Sequence, residues 1–170
     1  MSEGREGVGK RLAALIVFAA AMGWLEAVVV VYIRALIGVA PDQGVPDLAE
    51  VMRRMQSLPW LLPTEQTREA ATIVMLAAVG ALAARGVRAR IGAFLIVFGV
   101  WDLAYYAALR ALLDWPRSLG TLDVLFLLPP HPWWHQPVWV PMVISLGFIA
   151  VGIKLFRAAP RAAVAPARQV

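Results

Sequence analysis

The chain has 170 residues, of which 61% are hydrophobic and 16% charged, and its mean hydropathy is +0.70. This composition excludes an ordinary soluble domain, in which about half of the residues are apolar and about a quarter charged. Cysteine is absent, which excludes disulfides, thiolate metal sites and cysteine catalysis. We attribute the net charge of +5 to membrane topology and not to nucleic-acid binding, because the basic residues gather beside apolar stretches.

Four apolar stretches are predicted to cross a bilayer, which requires about 20 mostly apolar residues in each. They cover residues 12–33, 68–84, 91–113 and 138–156. The basic start and the small residues at 19–21 also fit a signal peptide, but the apolar run continues through Val31, so we expect an uncleaved helix. The fold class is therefore an all-α integral membrane protein, a single domain of four transmembrane helices.

The distribution of Lys and Arg predicts the orientation of these spans. The segments on the side of the termini carry more Lys and Arg than the segments on the other side. This bias predicts a multi-pass protein of the cell inner (plasma) membrane with both termini in the cytoplasm. Residues 158–170 are expected to form a flexible cytoplasmic tail.

The loop after the first span is predicted to contain a short amphipathic helix. Asp47 has the side chain of an N-cap, and Glu50 follows three residues later, as in a capping box. Apolar residues then recur at helical spacing from Leu48 to Leu58. The simplest interpretation is a helix that lies on the outer membrane surface, and the alternative is a lid over a pocket.

The second span is predicted to begin near Pro63, with Thr64 as its cap. The position of Glu65 is explained by the helix dipole, which favours anions in the first turn. Glu69 lies one turn deeper, and the sequence leaves open whether it shares that role or faces the bundle.

The loop between the last two spans is rich in Pro and Trp. Residues 121–128 are apolar except for Asp123 and too short to cross a bilayer, and several prolines prevent a continuous helix after them. We predict that this segment either lies along the outer leaflet or re-enters it over the helix bundle. The loop tryptophans fit an aromatic belt, whereas Trp24 and Trp101 are expected to donate to neighbouring carboxylates.

Two predicted spans carry the same pattern. Residues 23–36 read GWLEAVVVVYIRAL and residues 99–112 read GVWDLAYYAALRAL, so each has a carboxylate in an apolar helix and an arginine eight residues later. An ionisable group costs about 2.5–3.5 kcal/mol at the centre of a lipid-exposed helix, which indicates a protein-lined polar site. The repeat favours two helical hairpins related by an axis along the membrane normal, although the second and fourth spans match poorly.

Such an axis would bring Glu26 and Asp102 together. Two close carboxylates share a proton, bind a cation or are each neutralised by an arginine. The last alternative is purely structural, whereas the first two imply an outward-facing polar pocket. The predicted pocket residues are Glu26, Arg34, Glu69, Asp102, Tyr105, Tyr106, Arg110 and Asp123.

No metal site, cofactor or catalytic residue is assigned. The spacing of His131 and His135 suits a helix, but Pro132 lies between them, so they are only weak candidates as loop ligands with Asp123 or Glu65. The G-x-S-x-G, phosphate-loop and H-E-x-x-H motifs are missing from the sequence.

Four blocks of sequence carry a resemblance. They are REAATIVML at 68–76, FGVWD at 98–102 followed by two tyrosines, WPRSL at 115–119 and DVLFLLP at 123–129. Together they resemble a group of small bacterial integral-membrane proteins, and the likeness covers most of the chain. The resemblance implies a helical membrane fold and no particular activity.

Three functions fit the sequence. The first is binding or transport of a small molecule, ion or proton, with Glu26 and Asp102 as the site and Arg34 and Arg110 at the entrance. The second is an accessory subunit that recognises a membrane-complex partner or a second copy of the chain. The third is a membrane enzyme acting on a lipid-like substrate. In each case the lipid bilayer is a partner.

Overall fold

The computed structural model describes residues 2–40, 46–129 and 131–157. The tail predicted for residues 158–170 lies outside this range. The elements are α1 (Ser2–Leu36), α2 (Leu48–Gln56), α3 (Leu61–Ala83), α4 (Val87–Leu113), β1 (Leu122–Val124), β2 (His135–Pro137) and α5 (Trp139–Arg157). The two strands pair antiparallel, and a short 3-10 helix precedes β2.

Three of the described helices are long and apolar enough to cross a membrane: α1 over Gly7–Leu36, α4 and α5. The predicted span at 68–84 corresponds to α3, which is not among them. Glu65, Arg68 and Glu69 lie in the first half of α3 and lower its mean hydropathy. The mostly helical fold with candidate membrane-spanning helices is therefore confirmed, whereas the count of four spans stays a prediction.

The start of α3 differs from the prediction. The helix begins at Leu61, so Thr64 is not its cap, and the Thr64 hydroxyl donates instead to the carbonyl of Trp60 at 2.6 Å. Pro63 is tolerated there because the first N–H groups of a helix have no partner within it. The earlier start also places Glu65 beyond the first turn, so the helix dipole does not explain its position.

The helices form a bundle in which α4 is central. It packs against α1, α3 and α5 around a core that includes Leu15, Leu76, Ile96 and Phe156, one from each helix. The contacts make α1 parallel and α5 antiparallel to α4. One end of the bundle, where α1 and α4 end and α3 and α5 begin, carries α2 and the β-hairpin. We call it the loop end.

Several glycines permit close approach of the helix backbones, and two of them lie in the sequence repeat. A Cβ at Gly23 would lie 2.5 Å from the carbonyl oxygen of Trp101 on α4, and a Cβ at Gly99 would lie 2.5 Å from the carbonyl oxygen of Ser145 on α5. These glycines hold equivalent positions in the sequence repeat but face different helices, and α1 packs much less closely on α3 than α4 does on α5. The predicted axis along the membrane normal that would relate two helical hairpins is therefore not confirmed.

The helix α2 lies against protein. As predicted, Asp47 caps it, since its carboxylate accepts from the backbone N–H of Glu50 at 2.9 Å. The Glu50 carboxylate binds Arg53 and Arg54 instead of completing a capping box. The apolar face is buried on the bundle through Val51 and Met55, so the prediction of a helix lying on the membrane surface is wrong for this face.

Residues 121–128 contain a strand and an irregular run. The strand β1 pairs with β2, and Leu127 after it packs with α2 and the start of α3. The irregular backbone is thus covered by protein, which is the condition under which it is tolerated at membrane depth.

Candidate functional site

A cavity of about 410 Å³ lies at the loop end of the bundle. Its walls come from α1, α3, α4 and α5, and it is roofed by α2 and residues 123–127. Most of its lining residues are apolar. Seven of the predicted pocket residues line it: Glu26, Arg34, Glu69, Asp102, Tyr105, Tyr106 and Asp123.

Arg110 is the exception. It lies on the exposed side of α4, where its guanidinium binds the Asp114 carboxylate at 2.7 Å and the carbonyl of the same residue at 2.8 Å. The predicted role of Arg110 at a pocket entrance is therefore wrong. Arg110 lies eight residues after Asp102, about 12 Å further along α4, and is not among the residues that line the cavity.

An ion-pair cluster joins α1 to α3 at the cavity wall. The guanidinium of Arg68 binds the carboxylates of Glu26 and Glu65, and both acids are buried. Thr72 completes the cluster with a hydroxyl 3.4 Å from Glu26. Because both carboxylates share one cation, the cluster is compact but retains one excess negative charge.

Arg68, Glu65 and Thr72 were not among the predicted site residues. The REAATIVML block contains Arg68 and Thr72, and a spacing of three places Glu65 and Arg68 on one helix face. The sequence assigned no particular arginine to Glu26. Arg34, on the same helix, is about 12 Å further along the axis, which is too far for an ion pair between them.

Arg34 makes a different contact. Its guanidinium carbon lies 4.1 Å from the ring centroid of Trp115, a cation–π arrangement. Trp115 is only 3% exposed, so it does not belong to an interfacial belt as predicted. Within the described part of the chain, the Arg34 Nη1 atom has no hydrogen-bond partner.

Asp102 is held by α5. The hydroxyl of Ser145 donates to its carboxylate at 2.7 Å. No salt bridge joins Asp102 to a basic side chain among the described residues. The predicted meeting of Glu26 and Asp102 stays a prediction: the two acids line one cavity, and each has its own hydrogen-bond partners.

Two residues of α3 hold the roof. The backbone N–H of Leu127 donates to the Glu69 carboxylate at 3.0 Å, and the Gln66 amide donates to the carbonyl of Leu127 at 3.0 Å. Glu69 thus faces the bundle, which settles the position that the sequence left open. Both backbone polar groups of Leu127, its N–H and its carbonyl, therefore have hydrogen-bond partners on α3.

Asp123 lies at the junction of the roof and α4. The Tyr106 hydroxyl donates to its carboxylate at 3.0 Å. Burial raises the pKa of the Asp123 carboxyl to about 6, against the charge of Arg34 and the hydrogen bond from Tyr106, which lower it. The carboxyl is therefore easier to protonate here than in an unfolded chain.

This shift predicts a pH-dependent effect of Asp123→Asn. Because an unfolded aspartate has a pKa of about 3.9, the wild type loses stability as the pH rises from about 4 to about 6 and then stays level. We expect the variant to melt several degrees above the wild type at about pH 8, with the difference closing toward about pH 4. Melting temperatures in detergent across this range test the prediction. The exposed Asp114→Asn is the control, and a difference that does not vary with pH would contradict the prediction.

The tryptophans predicted beside the acids do not bind them. Trp24 is half exposed on the outer face of α1. Trp101 is buried and lines the cavity, but its indole nitrogen has no partner within residues 2–40, 46–129 and 131–157. Helical register explains why Trp24 does not bind Glu26, because residues two positions apart on a helix point in different directions.

The histidines lie in the hairpin. The Nδ1 atom of His131 accepts from the backbone N–H of Trp133 at 3.1 Å, and His135 is opposite Val124 in the strand pair. In the described ranges no three His, Cys, Asp or Glu side chains are arranged to hold a metal ion.

Chemically, the cavity combines a mostly apolar wall with five carboxyl groups and two guanidinium groups. Such a wall binds the apolar part of a small molecule, while a few polar groups fix its orientation. No protein-family model, curated protein or solved structure matches the chain. The cavity is therefore interpreted from its own geometry.

Proposed function

We propose that this protein is a membrane-embedded binding protein that takes a small amphiphilic molecule into the loop-end cavity. The observation that carries the proposal is the single cavity of about 410 Å³ in which apolar residues of four helices surround buried ionisable groups. Ligand pockets are typically about 300–1,000 Å³ and have this combination of apolar wall and sparse polar groups.

The proposal places α3 in the membrane as a fourth span. Its ionisable residues do not require water around the helix, because Glu65 and Arg68 pair with each other and Glu69 binds the roof. Hydropathy alone therefore underestimates how well α3 tolerates a bilayer. With the termini in the cytoplasm, as the basic residues favour, the cavity opens toward the outer leaflet of the inner membrane.

The packing of the helices supports entry from the lipid. Both α3 and α5 line the cavity, yet each has its main helix contacts with α4 and not with the other. The apolar residues Ile73 of α3 and Ile144 of α5 line the two sides. A molecule with an apolar body could pass between these helices without crossing water, which favours an amphiphile over a hydrated ion.

Native mass spectrometry of the protein released from mild detergent tests the proposal. We expect the wild type to retain a small molecule from the host membrane and Ile73→Trp to lose it, because the added ring fills the cavity. Val74→Trp is the matched control, since the neighbouring Val74 is 67% exposed and does not line the cavity. A wild-type protein that carries no adduct, or equal adducts in both variants, would contradict the proposal.

A further inference from the structure

We infer that the molecule bound in the cavity is an organic cation, an ammonium group carried on an apolar body. The inference rests on the proposed binding function and specifies the chemistry of its ligand. It follows from three features of the cavity: its unbalanced charge, the partners of three of its acids, and its aromatic wall.

The charges of the cavity are unbalanced. Its acids are Glu26, Glu65, Glu69, Asp102 and Asp123, and its basic residues are Arg34 and Arg68. No lysine or histidine is among its described lining residues. Arg68 is shared by two of the acids, so the cavity as a whole lacks positive charge when its carboxyl groups are ionised.

Three of the acids, Asp102, Glu69 and Asp123, accept hydrogen bonds only from neutral donors. Asp102 accepts from the hydroxyl of Ser145, and Glu69 accepts from the backbone N–H of Leu127. Both carboxylates are partly buried, and removal of a carboxylate from water is costly unless a positive charge accompanies its hydrogen bonds. A ligand that brings a positive charge into the cavity would lower this cost.

Several aromatic rings line the cavity together with Asp102. The centroid of Phe98 is 5.4 Å from that of Trp101 and 5.7 Å from that of Phe148, and Trp101 stacks on Tyr105 at 6.5 Å. All of these residues line the cavity. The faces of aromatic rings attract ammonium groups, and aromatic cages bind quaternary ammonium ligands.

An inorganic cation fits this wall less well. Calcium is bound by about six to eight oxygen ligands and magnesium by a near-octahedral shell. The residues that the structure describes contain no group of three metal-binding side chains, and the rings of this wall provide no oxygen ligands except the tyrosine hydroxyls. A positive charge spread over an organic group is the better match.

Binding of three probes with the same alkyl chain tests the inference. The probes are octyltrimethylammonium, 1-octanol and octyl sulfate, measured by calorimetry on protein in lipid nanodiscs, with empty nanodiscs subtracted. We expect saturable binding of the ammonium at least about tenfold tighter than that of the alcohol, and no saturable binding of the sulfate.

Two variants locate the binding. Asp102→Asn keeps an oxygen that accepts from Ser145 but removes the charge, and should weaken ammonium binding by at least about tenfold. Asp114→Asn is the matched control, because it removes the same charge from an exposed residue outside the cavity, and should bind as the wild type does. Glu69→Gln is the second variant should Asp102→Asn fail to fold.

The outcomes separate the two proposals. Binding of octanol as tight as that of the ammonium would overturn the cation inference and leave the binding function in place. Equal effects of Asp102→Asn and Asp114→Asn would overturn it as well. Absence of saturable binding for all three probes would count against both proposals.

Discussion

Replacement of Arg68 by methionine should be among the most damaging single changes in this protein. The substitution keeps most of the side-chain volume but leaves the buried Glu26 and Glu65 without a cation. Removal of one partner from a buried ion pair costs about 3–5 kcal/mol, because the other charge stays buried and unpaired. We expect the melting temperature in detergent to fall by about 10 °C.

The cause can be tested by removing the acids as well. The triple variant Arg68→Met, Glu26→Gln, Glu65→Gln carries no unpaired charge at this site and should regain most of the lost stability. Arg110→Met is the control for loss of an ion pair, since the Arg110–Asp114 pair is exposed and such pairs contribute about 0–1 kcal/mol. Equal destabilisation by Arg68→Met and Arg110→Met would show that burial of the cluster does not increase its contribution to stability.

Replacement of Gly23 by alanine should separate α1 from α4. The new Cβ would lie 2.5 Å from the Trp101 carbonyl oxygen and 2.8 Å from the Ala104 Cβ, and the former is a backbone atom that cannot move alone. Overpacking of this kind costs about 1–3 kcal/mol. Melting temperatures in detergent should therefore fall by several degrees.

A second glycine provides the control for this change. Gly147 lies within α5, and a Cβ there would have no neighbour within 4 Å. Gly147→Ala should be neutral or stabilising by up to about 1 kcal/mol, because alanine favours helix. If both substitutions lower the melting temperature equally, close packing at Gly23 is not the reason for its presence.

The sequence predicted a helical chain with long apolar helices and seven of the residues that line the cavity, because both follow from simple properties. Long apolar runs predict helices, and an acid within such a run must face protein. Glu26 and Asp102 satisfied that rule, and both line the cavity. The register of an α-helix also correctly placed Tyr106 on the face of Asp102.

The partners of these residues could not be predicted in the same way. Arg68 and Ser145 are distant in sequence from Glu26 and Asp102, and their pairing depends on how the helices pack. Periodicity gives the face of one helix but not the identity of the neighbour on that face. The sequence repeat did not indicate these partners, because the arginine eight residues after each acid lies about 12 Å further along the helix axis.

The hairpin was missed for a related reason. Strands of three residues, such as β1 and β2, are too short to show a period, and the prolines around them indicate only that a helix cannot continue. The position of residues 121–128 over the cavity depends on the hydrogen bonds from Leu127 to α3, which no local pattern reveals.

The attachment of Leu127 to α3 has a mechanical consequence. Gln66 binds the carbonyl and Glu69 the N–H of the same residue, so this part of the roof is tied to α3. Near its other end α3 packs closely on α4, where a Cβ at Gly80 would lie 2.9 Å from the backbone nitrogen of Phe94. A tilt of the first half of α3 about this contact would lift the cover of the cavity in the same movement that widens its side, so admission and release would use one hinge.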